Sequence, residues 1–288
     1  MFGFLKKFIP RRFRKTHTTI PVVVLQGAIT PESSRFQSTL NLSAVADQLQ
    51  DAFENKEAPA VALVINSPGG SPVQSRLIYQ RIRSLAEEHR KQVLVFVEDV
   101  AASGGYMIAL AGDEIIVDPT SIVGSIGVVS SGFGFTELIE KIGVERRIYT
   151  SGENKVLLDP FRPTRQEDVD FLLDLQRDVH EVFIAMVKER RAGKLKDDPD
   201  LFSGLFWTGR RGIELGLADR TGSLREVLRE RFGEKTELEL VEERRSFFGR
   251  RLPAILARPP RAEAIAGAAA HGLAGAVDER ALWARYGL

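Results

Sequence analysis

Ser103 stands where a catalytic hydroxyl could. The stretch from Val97 reads VEDVAASGGYMIALAGDEI, in which a strand-like apolar run ends in two acids, small residues, a lone serine and two glycines, and an apolar helix-like segment follows. Serine and glycine are ordinary turn residues, so a tight turn is one reading. The other is a nucleophile held at a strand-to-helix corner, with backbone N–H groups free to bind an anion. A serine that attacks a carbonyl needs a base within reach and donors for the developing oxyanion. The N–H of Gly104 follows the hydroxyl directly. A second donor could come from Gly69 or Gly70 in the loop INSPGGS. Glycine suits such places because a substrate backbone comes close and the loop can need a positive φ.

The base is harder to find. The four histidines, His17, His89, His180 and His271, lie in no metal-ligating spacing and near none of these loops. The chain has no cysteine, which excludes a thiolate nucleophile, a disulfide scaffold and cysteine-ligated zinc. No metal or cofactor is expected. Lys155, in YTSGENKVLLDP, is the stronger candidate. A free lysine titrates near about 10.4, and burial can lower that by as much as roughly 3–5 units. A neutral amine can take the hydroxyl proton and later give it to the leaving amine. On the residues alone, a lysine in a polar loop reads first as a solvated surface residue.

The surrounding elements must bring these residues together. IPVVVLQGAI, APAVALVINS and KQVLVFVEDV read as strands that are apolar almost throughout. LSAVADQLQDAF and VQSRLIYQRIRSLAEEHR between them have helical periodicity. Alternating strands and helices with such strands predict an α/β domain, its mainly parallel sheet covered by helices on both faces. Ligands of such sheets sit at the carboxyl ends of the strands, where NSPGGS and ASGG both fall. Further on, FTELIEKIG reads as a helix and VERRIYTSG as a strand. Thr164 to Lys188 reads as a long amphipathic helix whose TRQE start suits a threonine N-cap. WTGRRGIELGLADRTGS places a helix between glycine turns. Beyond Phe232 the chain turns rich in Ala, Gly and Arg, which suggests a tail, 233–288, after a catalytic domain, 18–232.

Forty basic and 39 acidic residues nearly cancel, leaving no global reason to expect nucleic acid. Charge is local instead. MFGFLKKFIPRRFRK, within a leader spanning 1–17, holds six Lys/Arg and no acid. It is too broken by Lys6, Lys7 and Pro10 to be a signal peptide, and no run of about twenty apolar residues predicts a transmembrane helix. Phe2, Leu5, Phe8 and Ile9 beside lysines suit the surface of an anionic membrane. A basic leader that solvates itself is the alternative.

ASGGY after an apolar strand, INSPGG before it, SIVGSIGVV after it, SGENK with DP downstream, and WTGRRGIELGLAD near the end occur in one order. From Pro21 to Val227 this resembles the signal peptide peptidase A family, peptidase family S49, in its short SohB-like form. The resemblance implies a ClpP/crotonase-like spiral of ββα units. It implies a Ser–Lys dyad with Ser103 as nucleophile, Lys155 as general base and Ser125 bonded to the lysine. Gly70 and Gly104 would form the oxyanion hole. Glu98 and Asp99 should point away from Lys155, because a carboxylate there would hold its proton. The implied partners are apolar peptides such as cleaved signal peptides, and further copies of the chain in a ring-like homo-oligomer. The implied location is the bacterial cytoplasm or inner membrane, with peripheral rather than transmembrane attachment. Two alternatives remain: an acyl-CoA hydratase or isomerase of the same fold, and a catalytically silent membrane-associated scaffold.

Overall fold

The computed structural model describes residues 17–31, 39–242 and 280–288. The basic leader lies outside the described residues but for His17, as do residues 243–279 of the tail.

The elements follow in the order β1 (Thr19–Gln26), β2 (Ala28–Ile29), β3 (Thr39–Leu40), α1 (Leu42–Glu54), β4 (Ala60–Ser67), α2 (Pro72–His89), β5 (Gln92–Ala102) and α3 (Gly104–Ala109). Then come β6 (Glu114–Val117), β7 (Ile122–Gly124), α4 (Thr136–Lys141), α5 (Gln166–Arg190), β8 (Phe206–Thr208), α6 (Gly209–Glu214), β9 (Arg220–Thr221), α7 (Leu224–Phe232) and β10 (Glu237–Leu240). The main sheet runs β10-β1-β4-β5-β6-β9 with every pair parallel. β4, AVALVINS, is buried at every position, which is why it carries no polar alternation. β10, beyond Phe232, joins the edge of this sheet alongside β1.

The central strand β5 is long enough to serve two neighbours. Leu94–Val97 pair with β6, and Val100–Ala102 pair with β7. Between them the register against β4 jumps from Ile65↔Val97 to Ser67↔Ala101. Two residues of β5, Glu98 and Asp99, are thereby thrown out as a bulge, where a strand bends and changes direction. Past the bend, β5 leads toward β7, which takes β8 antiparallel.

Helices cover the sheet on both faces. α1 begins at Asn41, whose side chain accepts the Ala44 N–H at 3.0 Å, and buries Val45, Leu49, Ala52 and Phe53. α2 follows Ser71 with Pro72 at its first position, where a missing N–H costs nothing. One core joins these helices to β1, β4, β5 and α3, and a second lies on the opposite face beneath α7.

Two local expectations fail. Residues 144–150 pair with no strand among the described residues and are nearly all exposed. The helix expected from Thr164 starts at Gln166, with Arg165 at the N-cap and no side-chain cap. Asp168 takes over the organising role. It accepts from the Arg165 guanidinium at 2.5 Å and from the Leu158 N–H at 3.3 Å. The Arg165 hydrogen bond above all holds this carboxyl below its usual range.

Candidate active site

β5 ends at Ala102 and α3 starts at Gly104, leaving Ser103 alone at the corner with φ 51° and ψ −121°. A serine at such a φ is strained by about 1–3 kcal/mol and persists only where its surroundings force it. The forcing contacts are visible. The Ser103 N–H donates to the Gly124 carbonyl at 2.8 Å, and its own carbonyl accepts from Met107 N–H at 3.0 Å. The hydroxyl is spared from capping α3 and makes no hydrogen bond among the described residues.

The second loop meets the first by way of β2. Ile29 donates its N–H to Gly69 and accepts from Ser71 N–H, at 2.8 and 2.7 Å. This parallel bridge, Ile29↔Gly70, uses the groups on either side of Gly70 and leaves the Gly70 N–H unspent. Gly70 has φ 139°, and a Cβ there would stand 2.1 Å from the Ile29 carbonyl oxygen. The Gly104 N–H is also unspent, as the first amide of a helix must be. A Cβ on Gly104 would stand 3.3 Å from Gly70 N and 2.3 Å from Ser75 Oγ. The amides of the two loops thus lie against each other, beside the serine, with no acceptor of their own among the described residues. Ser67 fixes the approach by donating to Gly27 O at 2.7 Å and accepting from Gly69 N–H at 3.2 Å.

Ser125 occupies the next step of the neighbouring strand. The pair Ala102↔Gly124 ends the β5–β7 ladder, so Ser103 and Ser125 follow it side by side. Ser125 is also at positive φ, 53°, and is buried. Its N–H donates to Leu205 O at 2.8 Å, and its hydroxyl has no partner among the described residues.

Ser103, Gly70, Gly104 and Pro68 line a cleft of about 210 Å³. Its apolar wall is Met107 from α3, Val128 and Val129, and Val179 and Phe183 from α5. Val179 and Phe183 carry no separate signal in the sequence, since they look like any apolar stripe of a helix. His180 beside them binds the Ile126 carbonyl through Nε2 at 2.9 Å; a carbonyl only accepts, so that nitrogen carries a proton. Leu282 and Arg285 from the far C-terminus complete the lining.

Lys155 is not among the residues of this cleft. It is exposed on the turns of residues 151–158, its backbone N–H on Gly152 O at 3.2 Å. Its ammonium makes no hydrogen bond or ion pair among the described residues. Four of the five expected site residues are therefore gathered by the sheet, and the fifth is not. Glu98 and Asp99 sit on the bulge, facing Asp118, Thr120 and Tyr286 rather than the serine. Asn66 donates to Asp99 at 2.6 Å. Burial, and then the neighbouring Asp99, push the Glu98 carboxyl above its usual range.

The profile of peptidase family S49 matches residues 86–237, just over half of the chain. The chain belongs to peptidase family S49. That family of proteases is the one the spaced motifs implied. Two proteins named Na(+)/H(+) antiporter NhaA, from Brucella abortus and Brucella melitensis, are 60% identical over 289 residues, spanning 99% of this chain and 39% of their own length. Serine protease SPPA, chloroplastic, of Arabidopsis thaliana is 32% identical over 192 residues, 65% of this chain and 28% of that one. Protease 4 of Haemophilus influenzae is 31% identical over 220 residues, 75% of this chain and 35% of that one. Among solved structures, a mutant of the 1510-N membrane-bound stomatin-specific protease matches at 16% identity and TM-score 0.49, over 78% of this chain and 98% of that one. The chain spans less than two thirds of each of these sequence relatives, and the transporter name belongs to the whole of the Brucella proteins. Among the described residues, no helix is long and apolar enough to cross a membrane.

Proposed function

We propose that this chain is a serine peptidase that hydrolyses apolar peptides through an acyl-enzyme on Ser103. The observation that carries the reading is the corner itself: a serine held at positive φ, beside two amides, with no hydrogen-bond partner for its hydroxyl or for those amides among the described residues. The Gly70 and Gly104 N–H groups would hold the oxyanion, where donors fixed in advance stabilise charge as it develops. The apolar wall of Met107, Val128, Val179 and Phe183 would take an apolar side chain beside the cut bond. Family membership supports peptide substrates, and cleaved signal peptides fit the class.

Lys155 is the proposed base. As a free amine it would take the Ser103 proton, protonate the leaving amine, and then activate water for deacylation. Ser125, one step across the strand pair from Ser103, would orient that amine without fixing a charge on it. For this the 151–158 segment must approach a cleft, in its own chain or in a neighbouring copy. Exposed apolar side chains on the same stretch, Phe133, Leu138, Ile142, Val144 and Tyr149, favour a neighbouring copy and a homo-oligomer. The proposed catalytic domain is 18–232, with 1–17 as a leader and 233–288 as a tail whose β10 closes the edge of the domain's sheet. The Phe-rich basic leader supports a site of action at the cytoplasmic or inner-membrane face, with peripheral attachment.

A fluorophosphonate should label Ser103, and a peptide-library digest should separate the chain from Ser103→Ala. Labelling of an unrelated residue, with equal digestion by both forms, would remove the peptidase. A catalytically silent scaffold is the second reading, favoured by Lys155 not being among the residues that line the cleft. It expects Ser103→Ala to keep its cellular role.

A further inference from the structure

We propose that His180 is a positioning residue: it fixes the width of the nucleophile cleft, and so the size of the apolar side chain that the cleft accepts. The inference rests on the peptidase reading of that cleft and refines it. The apolar wall has parts from two different segments. α5 supplies Val179 and Phe183, one turn apart and so on one face of the helix. Residues 127–129 supply Gly127, Val128 and Val129. His180 ties the two parts together, its Nε2–H donating to the Ile126 carbonyl at 2.9 Å. Ile126 is fully buried in the main core. From there the chain runs outward, through half-buried Val128 to exposed Val129. The Gly127 N–H turns back on Ser125 O at 3.0 Å. Beyond it, no backbone group of residues 128–134 has a hydrogen-bond partner among the described residues, and the next tie is Phe135 N–H on Pro160 O. The His180 bond is therefore the last hydrogen bond that fastens this part of the wall to another element.

The space beside the tie makes it decisive. A second cavity, of about 410 Å³, adjoins the cleft at Val128, which lines both. His180 lines the second cavity next to that valine. The partition between a cleft of about 210 Å³ and its larger neighbour is thus one valine and the imidazole that holds its segment in place. The charged groups on that side are already paired, Asp174 with Arg177 and Asp170 with Gln166, which leaves the imidazole to Ile126. A close-packed wall resists displacement, whereas a wall backed by a void can relax into it. With the bond made, Val128 stays at the edge of the cleft and limits what fits. Without it, the wall yields toward the second cavity, and small side chains lose contact while large ones gain room.

The test compares the full chain with His180→Ala, His180→Leu and His180→Gln. Alanine removes bulk and donor, leucine keeps bulk without a donor, and glutamine keeps an N–H near the place of Nε2. The substrates are two peptides that differ only in the side chain beside the cut bond, valine in one and tryptophan in the other. The readouts are kcat and KM for each, the rate at which a small fluorophosphonate labels Ser103, and thermal stability. The expected result is a Trp-to-Val ratio of kcat/KM raised about tenfold in His180→Ala and about threefold in His180→Leu, carried by KM, with labelling within about twofold of native. His180→Gln should restore the native ratio. A ratio unchanged in the alanine and leucine forms overturns the proposal, as does a glutamine form that behaves like alanine. Equal losses for both peptides and for labelling, in step with lost stability, would make His180 structural only and also overturn it. If Ser103 is labelled in no form, the peptidase reading fails. The cleft width is then read from the dissociation constants of the two peptides by calorimetry, where equal Trp-to-Val affinity ratios in the native and His180→Ala chains overturn the proposal by themselves.

Discussion

Residues 100–126 and residues 129–160 belong to the same proposed site and are built differently. In the first, nearly every residue outside the turns is buried, and Ser103 and Ser125 are held by strand pairing. In the second, Phe133 is 79% exposed and Tyr149 92% exposed, and what order there is comes from within and from the residues that lead into and open α5. Phe133, Phe135 and Phe161 stack in sequence at 6.3 and 5.5 Å, Arg146 lies over Phe161, and Phe135 N–H donates to Pro160 O at 2.6 Å. The proposed nucleophile and oxyanion donors are thus products of the sheet within one chain. The proposed base is carried on a loop whose apolar side chains face outward. A rigid half preset for charge stabilisation and a half that must be brought to it make activity depend on where that loop docks.

The largest effects should come from the two halves' reactive groups. Ser103→Ala and Lys155→Arg should each lower peptide hydrolysis by several orders of magnitude, since arginine keeps the charge but does not shed its proton. Ser103→Ala should also abolish labelling. Full activity in Lys155→Arg would cut the loop out of the mechanism and leave the rigid half to act alone. For the same reason kcat/KM in the native chain should climb as the pH is raised, and a flat profile from neutral to strongly alkaline would tell against the lysine.

Next in size are the rigid half's donors. Gly70→Ala and Gly104→Ala should lower kcat by about 10²–10³-fold, because each Cβ meets backbone or Ser75 at 2.1–2.3 Å and displaces its amide. A loss that appears only in KM would place these amides in binding rather than in the transition state.

Mixing then asks whose loop serves which cleft. If a neighbouring copy supplies Lys155, inactive Ser103→Ala and Lys155→Ala chains assembled together should recover roughly a quarter of native activity, as random pairing around a closed symmetric assembly gives. No recovery would return the loop to its own chain.

The smallest effect concerns the scaffold under α3. The Tyr106 hydroxyl, fully buried, donates to Leu217 O at 2.7 Å, and burial pushes its pKa well above the ordinary tyrosine value. Tyr106→Phe should cost about 1 kcal/mol in denaturant unfolding, with little change in labelling. Below Leu217, Asp219 accepts from Arg191 at 2.8 and 3.0 Å and from Lys194 at 2.6 Å. Burial works to raise this carboxyl, but those bonds outweigh it and hold it low. A depressed carboxyl stabilises the fold above its unfolded pKa, about 3.9, and that stabilisation fades as the pH falls through the folded value. Asp219→Asn should flatten the acid limb of the stability profile; an unchanged limb would assign acid unfolding to other carboxylates.

Much of the rigid half was readable in the residues. Continuous apolar runs such as AVALVINS announced strands buried on both faces, and SGG after such a run marked a corner. The motifs carried the family and the five candidate positions. Other features misled or were silent. VERRIYTSG has strand-like composition, yet a strand exists only with a partner, and that stretch has none among the described residues. TRQE looked like a cap, but Asp168 organised the turn instead by reaching Leu158 and Arg165. Nothing in VEDV signalled that Glu98 and Asp99 would be ejected as a bulge that lets β5 serve β6 and then β7. Nothing in WARYGL signalled that Tyr286 would pack beside Ala102.

The amino-acid order determined what is local: which stretches bury on both faces, where the chain must turn, and which residue types stand at those turns. These follow from side-chain solubility and backbone sterics, which each residue carries with it. Only the tertiary structure decided that the amides of Gly70 and Gly104 lie against each other, that Ser125 falls beside Ser103, and that Leu282 and Arg285 line the same cleft. Those depend on strand register and on contacts between segments far apart along the chain, and no single segment holds that information.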